Sequence, residues 1–538
     1  MNLGQARTRL SSMLLARMLL ASLLACSAAT AADASKTLAS VTQLDGISLA
    51  AITCITHDSH QLRACKFEGM DNEINSTLAD YLHHPISITD ILELKNRINQ
   101  IYAFQGFVNS GVSVPDQEIT NNTLVLEVIT GRIDAVEVSS ALRNGYITPR
   151  LSLAEPFNLT ALQANLQLLE QDPRITRIDA RVAPGTDIGH ATLTLGVETK
   201  PTFSIGLAVG NNQAPSIGSN NATLTLGANN LTGWGDSISG SIATTRGLDA
   251  NSLRFSVPVT ASDVIISLEH TQNDSSVIEE PFADIDVESQ TSSTRLSIDA
   301  PLMRSLDSTL SVGLILEARQ NQTSLLGQSF SFSEGAIDGE SRVAPVRLSV
   351  AYVRQGQSQS LAARLAISHG TNSFDATPES DQADGQFTAY LAQLQYSRML
   401  TEQFYMTARL LTQYSPSTLL SVEKFALGGL GSVRGYRQNQ IVRDSAILGS
   451  IEGRYQLQQV PGMELVAFLD YGAAENASDA VAQGRDELSS IGTGISYQGF
   501  KGFSADVFFA HGFQNPEISH RDLQDRGVHL RLSYHYAF

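Results

Sequence analysis

From Phe203 to the carboxyl-terminal Phe538 the chain shows no helical period and alternates apolar with polar residues, stretch after stretch. Representative runs are Ala222 to Leu226, Leu253 to Val259, Leu310 to Leu316, Phe387 to Leu394, Met463 to Leu469 and Val528 to Phe538. A period of two gives strands with one apolar and one polar face, and about 16 of them fit into this region. Their connections alternate in length. Short ones at Thr260 to Ser262, Gln458 to Gly462 and Gly499 to Phe500 follow even-numbered strands; long ones at Thr271 to Gln290, Arg319 to Arg342 and Tyr414 to Arg443 follow odd-numbered strands. Short turns at one end, long loops at the other and an even count predict a transmembrane β-barrel with both barrel ends on the periplasmic side. A soluble β-sandwich must instead bury the row Val528, Leu530, Leu532, Tyr534, Tyr536 and Phe538, which suits a lipid-facing aromatic girdle better. Composition agrees: 40 glycines against 16 prolines fit sheet and turn, and a mean hydropathy near zero is the average of two-faced strands.

The other end of the chain sets the compartment. Arg7, Arg9 and Arg17 precede or interrupt an apolar stretch from Met13 to Ala25, and Ala29-Thr30-Ala31 is a small-residue cleavage site. This reads as a secretory signal peptide over residues 1–31, cleaved before Ala32. The stretch is too short to cross about 30 Å of hydrocarbon as a helix. Leu23 to Cys26 leaves open an alternative, processing to a lipidated Cys26. Loss of Cys26 with the signal leaves Cys54 and Cys65, an even pair in an oxidising compartment, which predicts a disulfide. His57 and His60 lie between them, but the spacing matches no common zinc arrangement.

Between these ends two units repeat the order strand, helix, strand, strand. In the first, Thr89 is read as the cap of a helix carrying Ile91, Leu94, Ile98, Ile101 and Tyr102, ending near Gly106. Strands follow at Phe107 to Pro115 and at Leu124, Leu126 and Val128. In the second, a strand at Ile133 to Val138 precedes a helix capped by Asn158, with Leu159, Leu162, Leu166 and Leu169 on one face and Pro173 beyond its end. Strands at Ile175 to Val182 and Ala191 to Val197 flank Pro184-Gly185.

Three segments carry a resemblance. Phe425-Ala-Leu-Gly-Gly-Leu-Gly-Ser-Val433-Arg434-Gly435-Tyr436 lies in the longest loop, between candidate strands eleven and twelve; Phe468-Leu-Asp470-Tyr-Gly472 lies on strand thirteen; and the last strand ends in aromatics. Together they resemble the TpsB transporters of two-partner secretion, the hemolysin and hemagglutinin secretion group, within the superfamily of POTRA-bearing outer-membrane assembly and translocation barrels. Upstream, Tyr102 to Phe107, Pro115-Asp-Gln117 and Gly131-Arg132-Ile133 are similar to the family's first POTRA landmarks, with Thr130 where an acidic residue is common. Pro184-Gly185, Gly189 and Leu193 resemble the second POTRA domain, and Asn229 to Asp236 the first periplasmic turn of the barrel.

The resemblance implies a signal peptide, two periplasmic α+β POTRA domains, then a 16-stranded antiparallel transmembrane β-barrel, on the count of about 16 strands above. The expected divisions are residues 1–31 for the signal, 32–60 for an amino-terminal plug or linker, 61–133 and 134–200 for the POTRA domains, and 203–538 for the barrel. It also implies that Val433, Arg434, Gly435 and Tyr436 fold into the lumen, where Arg434 pairs with Asp470 on the wall strand that also carries Gly472. A planar guanidinium facing a carboxylate gives such a pairing its direction. Tyr534, Tyr536 and Phe538 would serve as the barrel assembly signal. The groove beside Leu159, Leu162, Leu166 and Leu169 is the candidate client-binding region, since an extended chain can add to a sheet edge there.

The expected function is export of an unfolded exoprotein, captured in the periplasm and conducted to the surface; alternatives are an outer-membrane protein assembly factor and a passive porin. Expected partners are that exoprotein, outer-membrane lipid and, during biogenesis, the barrel-assembly machinery, with the protein itself a monomer. A net charge of −18 without a basic tract argues against nucleic acid. No hydrolase, zinc-protease or phosphate-loop motif occurs, Gly428 to Gly431 lacking the following lysine, so no enzyme, cofactor or metal is expected.

Overall fold

The computed structural model describes residues 47–538 apart from 58–60, 66–69, 84, 380–382, 478–484 and 515–521. The expected signal peptide, its cleavage site, Cys26, the plug segment up to residue 46, and His60 lie outside the described residues.

The chain falls into two compact units. The first comprises residues 47–137 with 151–166 and 179–195; the second comprises 138–150, 167–178 and 196–538. In the first, a four-stranded sheet runs in the order Leu62–Arg63, Ala51–Thr56, Thr123–Ile129, Gly111–Ser113. Its two central strands are parallel, Ile52 facing Leu124 and Cys54 facing Leu126. The sheet therefore begins upstream of the expected boundary at 61: Ala51–Thr56, assigned above to a linker, is a central strand because its β-branched run is covered by helices. Those helices are Asp71–Ala79 and Ile88–Phe104, and Ile74, Leu94, Ile98 and Tyr102 fill the core against Leu124 and Leu126.

The cap of the longer helix is Ser87, not Thr89. Ser87 Oγ accepts from the Asp90 N–H, and the Asp90 carboxylate accepts from the Ser87 N–H at 2.7 Å, a closed capping box. These bonds hold the Asp90 carboxyl below its ordinary range. Cys54 and Cys65 are joined, with Cα atoms 5.2 Å apart, and the Tyr102 hydroxyl donates to the Cys65 carbonyl at 2.8 Å. Burial pushes the Tyr102 phenol up to about 12.

The second repeat forms a three-stranded sheet in the order Arg132–Ser140, His190–Thr199, Ile175–Pro184, with the helix Leu159–Glu170 capped by Asn158 Oδ1 on the Ala161 N–H. The segments 138–150 and 167–178 group with the barrel rather than with the rest of the expected 134–200 domain. Charge and hydrogen bonding account for this. Arg150 donates twice to Asp263 on a barrel turn, at 2.8 and 3.1 Å, and stacks 3.6 Å from the Tyr146 ring centre. Arg174 donates to the Gly235 carbonyl at 2.6 Å.

The barrel closes through sixteen antiparallel strands; the two-residue strand Gln328–Ser329 only lengthens the hairpin between the seventh and eighth, which also pair directly. The first strand, Phe203–Gly210, meets the sixteenth, Val528–Ala537, from Ser204↔Ala537 to Gly210↔Arg531. Leu207, Ile242, Leu253 and Leu365 are exposed on the outside, as a lipid-facing row requires. Tyr534, Tyr536 and Phe538 are exposed too, and the Phe538 ring lies 5.9 Å from that of Phe203.

Two of the expected long loops are shorter. The sixth and seventh strands, Val287–Arg304 and Ser308–Leu325, run 18 residues each, so the loops shrink to 277–286 and 326–339. Above the hydrocarbon both faces are polar, so the hydropathy period fades while backbone pairing continues.

Candidate functional site in the barrel lumen

The longest loop, 415–444, joins the eleventh strand, Phe404–Tyr414, to the twelfth, Ser445–Gln456. Inside it Phe425–Leu427 pairs with Ile441–Arg443 to make a short hairpin. Its tip turns on Gly428, Gly429 and Gly435, which have φ of 104°, 96° and 93°, angles that exclude most side chains. Leu427, Val433 and Tyr436 pack with Leu448, Ala474 and Leu488 of the wall.

Arg434 is buried, its side chain 3% exposed. Nε lies 2.7 Å from Asp470 Oδ2 and Nη2 2.8 Å from Oδ1, a two-pronged pairing with the thirteenth strand, Met463–Glu475. Nη1 donates to Glu452 Oε2 at 2.6 Å, and the Arg434 backbone N–H also reaches Asp470. Ser450 Oγ donates to Asp470 Oδ1 at 2.6 Å. The guanidinium lies 3.4 Å from the centre of the Phe468 ring and 5.4 Å from that of Phe508, which adds attraction for a desolvated cation. Two carboxylates and two aromatic faces thus replace the water that burial removed, the condition a buried ion pair must meet to persist.

Neighbouring residues complete the seat. The Gly435 N–H donates to His529 Nε2 at 3.0 Å, which places the imidazole proton on Nδ1. The Tyr436 hydroxyl lies 2.9 Å from the Ser489 carbonyl and accepts from the Gln514 N–H at 3.0 Å. Gly472 has a steric reason to be glycine: a Cβ there would stand 2.9 Å from Val433 Cγ2 and 3.0 Å from Leu427 Cδ2. Arg437 pairs with Asp525 at 2.5 Å and with Glu279 at 2.9 Å, and the Gln438 N–H donates to Gln524.

The structure therefore brings Val433, Arg434, Gly435, Tyr436, Asp470 and Gly472 together. It adds Glu452, Ser450, Phe508, His529 and Gln514, none of which was given a role above. Alternation does place Glu452 and His529 on the inner face, but their depth depends on strand register, which a single sequence does not reveal. The leucine face of the second repeat fares differently. Leu162 and Leu169 are buried in the fold, and only Leu159 and Leu166 remain half-exposed, because the helix uses that stripe for its own packing. Among the described residues no group of three or more His, Cys, Asp or Glu side chains is arranged to hold a metal ion.

Comparison with known proteins gives this geometry a family. Residues 189–497 match the Haemolysin secretion/activation protein ShlB/FhaC/HecB family, and residues 62–131 match the POTRA domain, ShlB-type. The heme/hemopexin transporter protein HuxB of Haemophilus influenzae (strain 86-028NP) is 22% identical over 483 residues, covering 83% of this chain and 82% of HuxB. The outer membrane transporter CdiB of Dickeya dadantii (strain 3937) is 22% identical over 412 residues, covering 73% and 71%. Among solved structures, CdiB from Escherichia coli superposes with a TM-score of 0.65 at 17% identity, over 93% of this chain and 92% of that one, a likeness of fold. With the family match spanning more than half of its length, the chain belongs to the haemolysin secretion/activation protein family, as an outer-membrane β-barrel transporter with periplasmic POTRA domains.

Proposed function

We propose that this protein is the transporter of a two-partner secretion system: it receives one unfolded exoprotein in the periplasm and passes it through its barrel to the cell surface. The observation that carries the reading is a loop hairpin seated on the inner wall of a closed barrel by Arg434, Asp470 and Glu452, in a chain with a POTRA domain ahead of that barrel. A pore meant for free diffusion gains nothing from such a plug. A pore for a polypeptide needs one that stays shut at rest and yields to a client.

In this reading the client pairs by its backbone with an edge of the second repeat's sheet, whose outer strands are Arg132–Ser140 and Ile175–Pro184. Backbone pairing tolerates varied side chains, as an unfolded client requires. Of the four leucines on that helix face, Leu159 and Leu166, not Leu162 or Leu169, are open to such a contact. The protein uses no cofactor and catalyses no reaction, acts as a monomer, and enters the membrane through barrel-assembly machinery that reads Tyr534, Tyr536 and Phe538.

Comparative proteomics of the medium from deletion and complemented strains tests the proposal. Loss of one large secreted protein, restored on complementation, is expected. A fall in several outer-membrane proteins at once supports an assembly factor instead, and an unchanged medium overturns export.

A further inference from the structure

The hairpin has a second buried ion pair at its base. Ser421–Glu423 forms a single helical turn just ahead of the strand Phe425–Leu427. Glu423 there faces Arg347 on the eighth barrel strand, Glu340–Gln355, as two parallel hydrogen bonds: Nη2 to Oε1 at 2.8 Å and Nη1 to Oε2 at 3.0 Å. Side-chain exposure is 6% for Glu423 and 19% for Arg347. Arg347 also donates to Glu317 at 3.1 Å and to Ser368 at 2.8 Å, so its fork is held in place before the hairpin arrives. Arg319 donates to the Val422 carbonyl at 2.6 Å, and Gln413 to the Glu423 carbonyl at 3.1 Å.

The cluster shares no residue with the Arg434 seat, and its charged wall residues, Glu317, Arg319 and Arg347, stand on the seventh and eighth strands rather than the twelfth and thirteenth. A loop as long as 415–444 tied only at its tip would keep much of its chain entropy inside a wet pore, and fixing its base reduces that freedom. We infer that Glu423 and Arg347 form a second anchor that positions the hairpin base, and that closure of the pore requires both anchors. The two are positioning residues: they act on passage through where they hold the hairpin. The inference rests on the reading of the hairpin as the plug of an export pore, but its test needs no client.

Full-length protein carrying Glu423→Ala, Arg347→Ala or both, extracted from outer membranes and placed in planar lipid bilayers, provides that test. Each single change is expected to raise the time spent in open-channel states by about tenfold or more, as breaking a buried pair on one side does. The double change should be no leakier than the worse single one, because the two side chains act as one unit. Heat-modifiable migration on gels checks that each variant is a folded barrel. Where an alanine variant fails that check, Glu423→Gln, which keeps the shape and loses the charge, and Arg347→Lys, which keeps the charge and loses the planar fork, replace it and should give an intermediate rise. Wild-type closure in a folded single variant, or additive effects in the double, overturns the anchor. A deletion strain with an unchanged medium overturns export and leaves these channel outcomes to decide the anchor on their own.

Discussion

The tip and the base of the lumen hairpin are held by ion pairs of opposite polarity. At the tip the hairpin supplies the cation, Arg434, and the wall supplies Asp470 and Glu452; at the base the hairpin supplies the acid, Glu423, and the wall supplies Arg347. Reversal gives register. A hairpin shifted so that its tip met the base receptor would set Arg434 against Arg347 and Arg319, a like-charge contact that excludes the wrong seating. The surroundings differ too. Arg434 is 3% exposed and stacked on Phe468, whereas Arg347 is 19% exposed beside one hydroxyl, Ser368, and a second carboxylate, Glu317. Desolvation raises both the strength of a satisfied pair and the penalty for breaking it, so the tip is the tighter hold.

That ranking is open to attack at its stronger end first. Arg434→Ala leaves Asp470 buried without its cation, a change worth about 3–5 kcal/mol. Secretion of the client should fall at least tenfold, roughly the effect of 1.4 kcal/mol, while the barrel still inserts and remains heat-modifiable. Quantitative blotting of the medium reads the outcome, and wild-type secretion would remove the tip from the mechanism. Asp470→Ala should act similarly. Exchanging the two charges should restore little, because Glu452 and the Phe468 face are arranged for a cation on the hairpin side.

The periplasmic module provides the contrast of a region held by a covalent tie. Replacing Cys54 and Cys65 by serine opens a short loop and should lower the stability of the first sheet by about 2–4 kcal/mol. Faster proteolysis of the periplasmic part, at unchanged single-channel conductance, is the expected result. A leaky channel in this variant would mean that closure is not controlled in the lumen alone.

How far these regions were legible follows from what each depends on. The tip could be read because Val433 to Tyr436 are contiguous and Asp470 shares a short motif with Gly472. Glu452 could not: it sits across from Phe468 only in the observed register, while Ser450 takes the place across from Asp470. The base is worse placed for reading, since Glu423 belongs to no recognisable motif and Arg347 is 76 residues away on another strand. The barrel was legible as alternation where lipid imposes a face and was lost above it, at the outer ends of the sixth and seventh strands. In the periplasmic part, helix Asp71–Ala79 offers only Ile74 and Leu78, with Met70 just ahead of it, as a stripe, too thin against its polar residues to stand out.

A smaller effect separates contact from charge. In Gly472→Ala the new methyl group meets Val433 and Leu427 and should displace the hairpin at a cost of about 1–3 kcal/mol, without touching an ion pair. Open-channel time should rise less than for Arg434→Ala. An equal rise would mean that apolar seating, rather than charge, dominates the tip.

The smallest effect is expected at Glu452, and it tests whether the tip cluster has one essential acid or two. Glu452 also binds Arg454, at 2.5 Å, which in turn holds Glu464 at 2.9 Å. In Glu452→Gln the amide oxygen still accepts one hydrogen bond, Asp470 keeps both of its bonds to Arg434, and Arg454 keeps Glu464. The loss is one charge-assisted bond to a cation that retains its main partner. Secretion should drop only a few-fold, and open-channel time should rise by a similar factor. A Glu452→Gln defect as deep as that of Asp470→Ala would show that Arg434 is held by a single three-residue unit and that the two-pronged Asp470 contact does not by itself fix the tip.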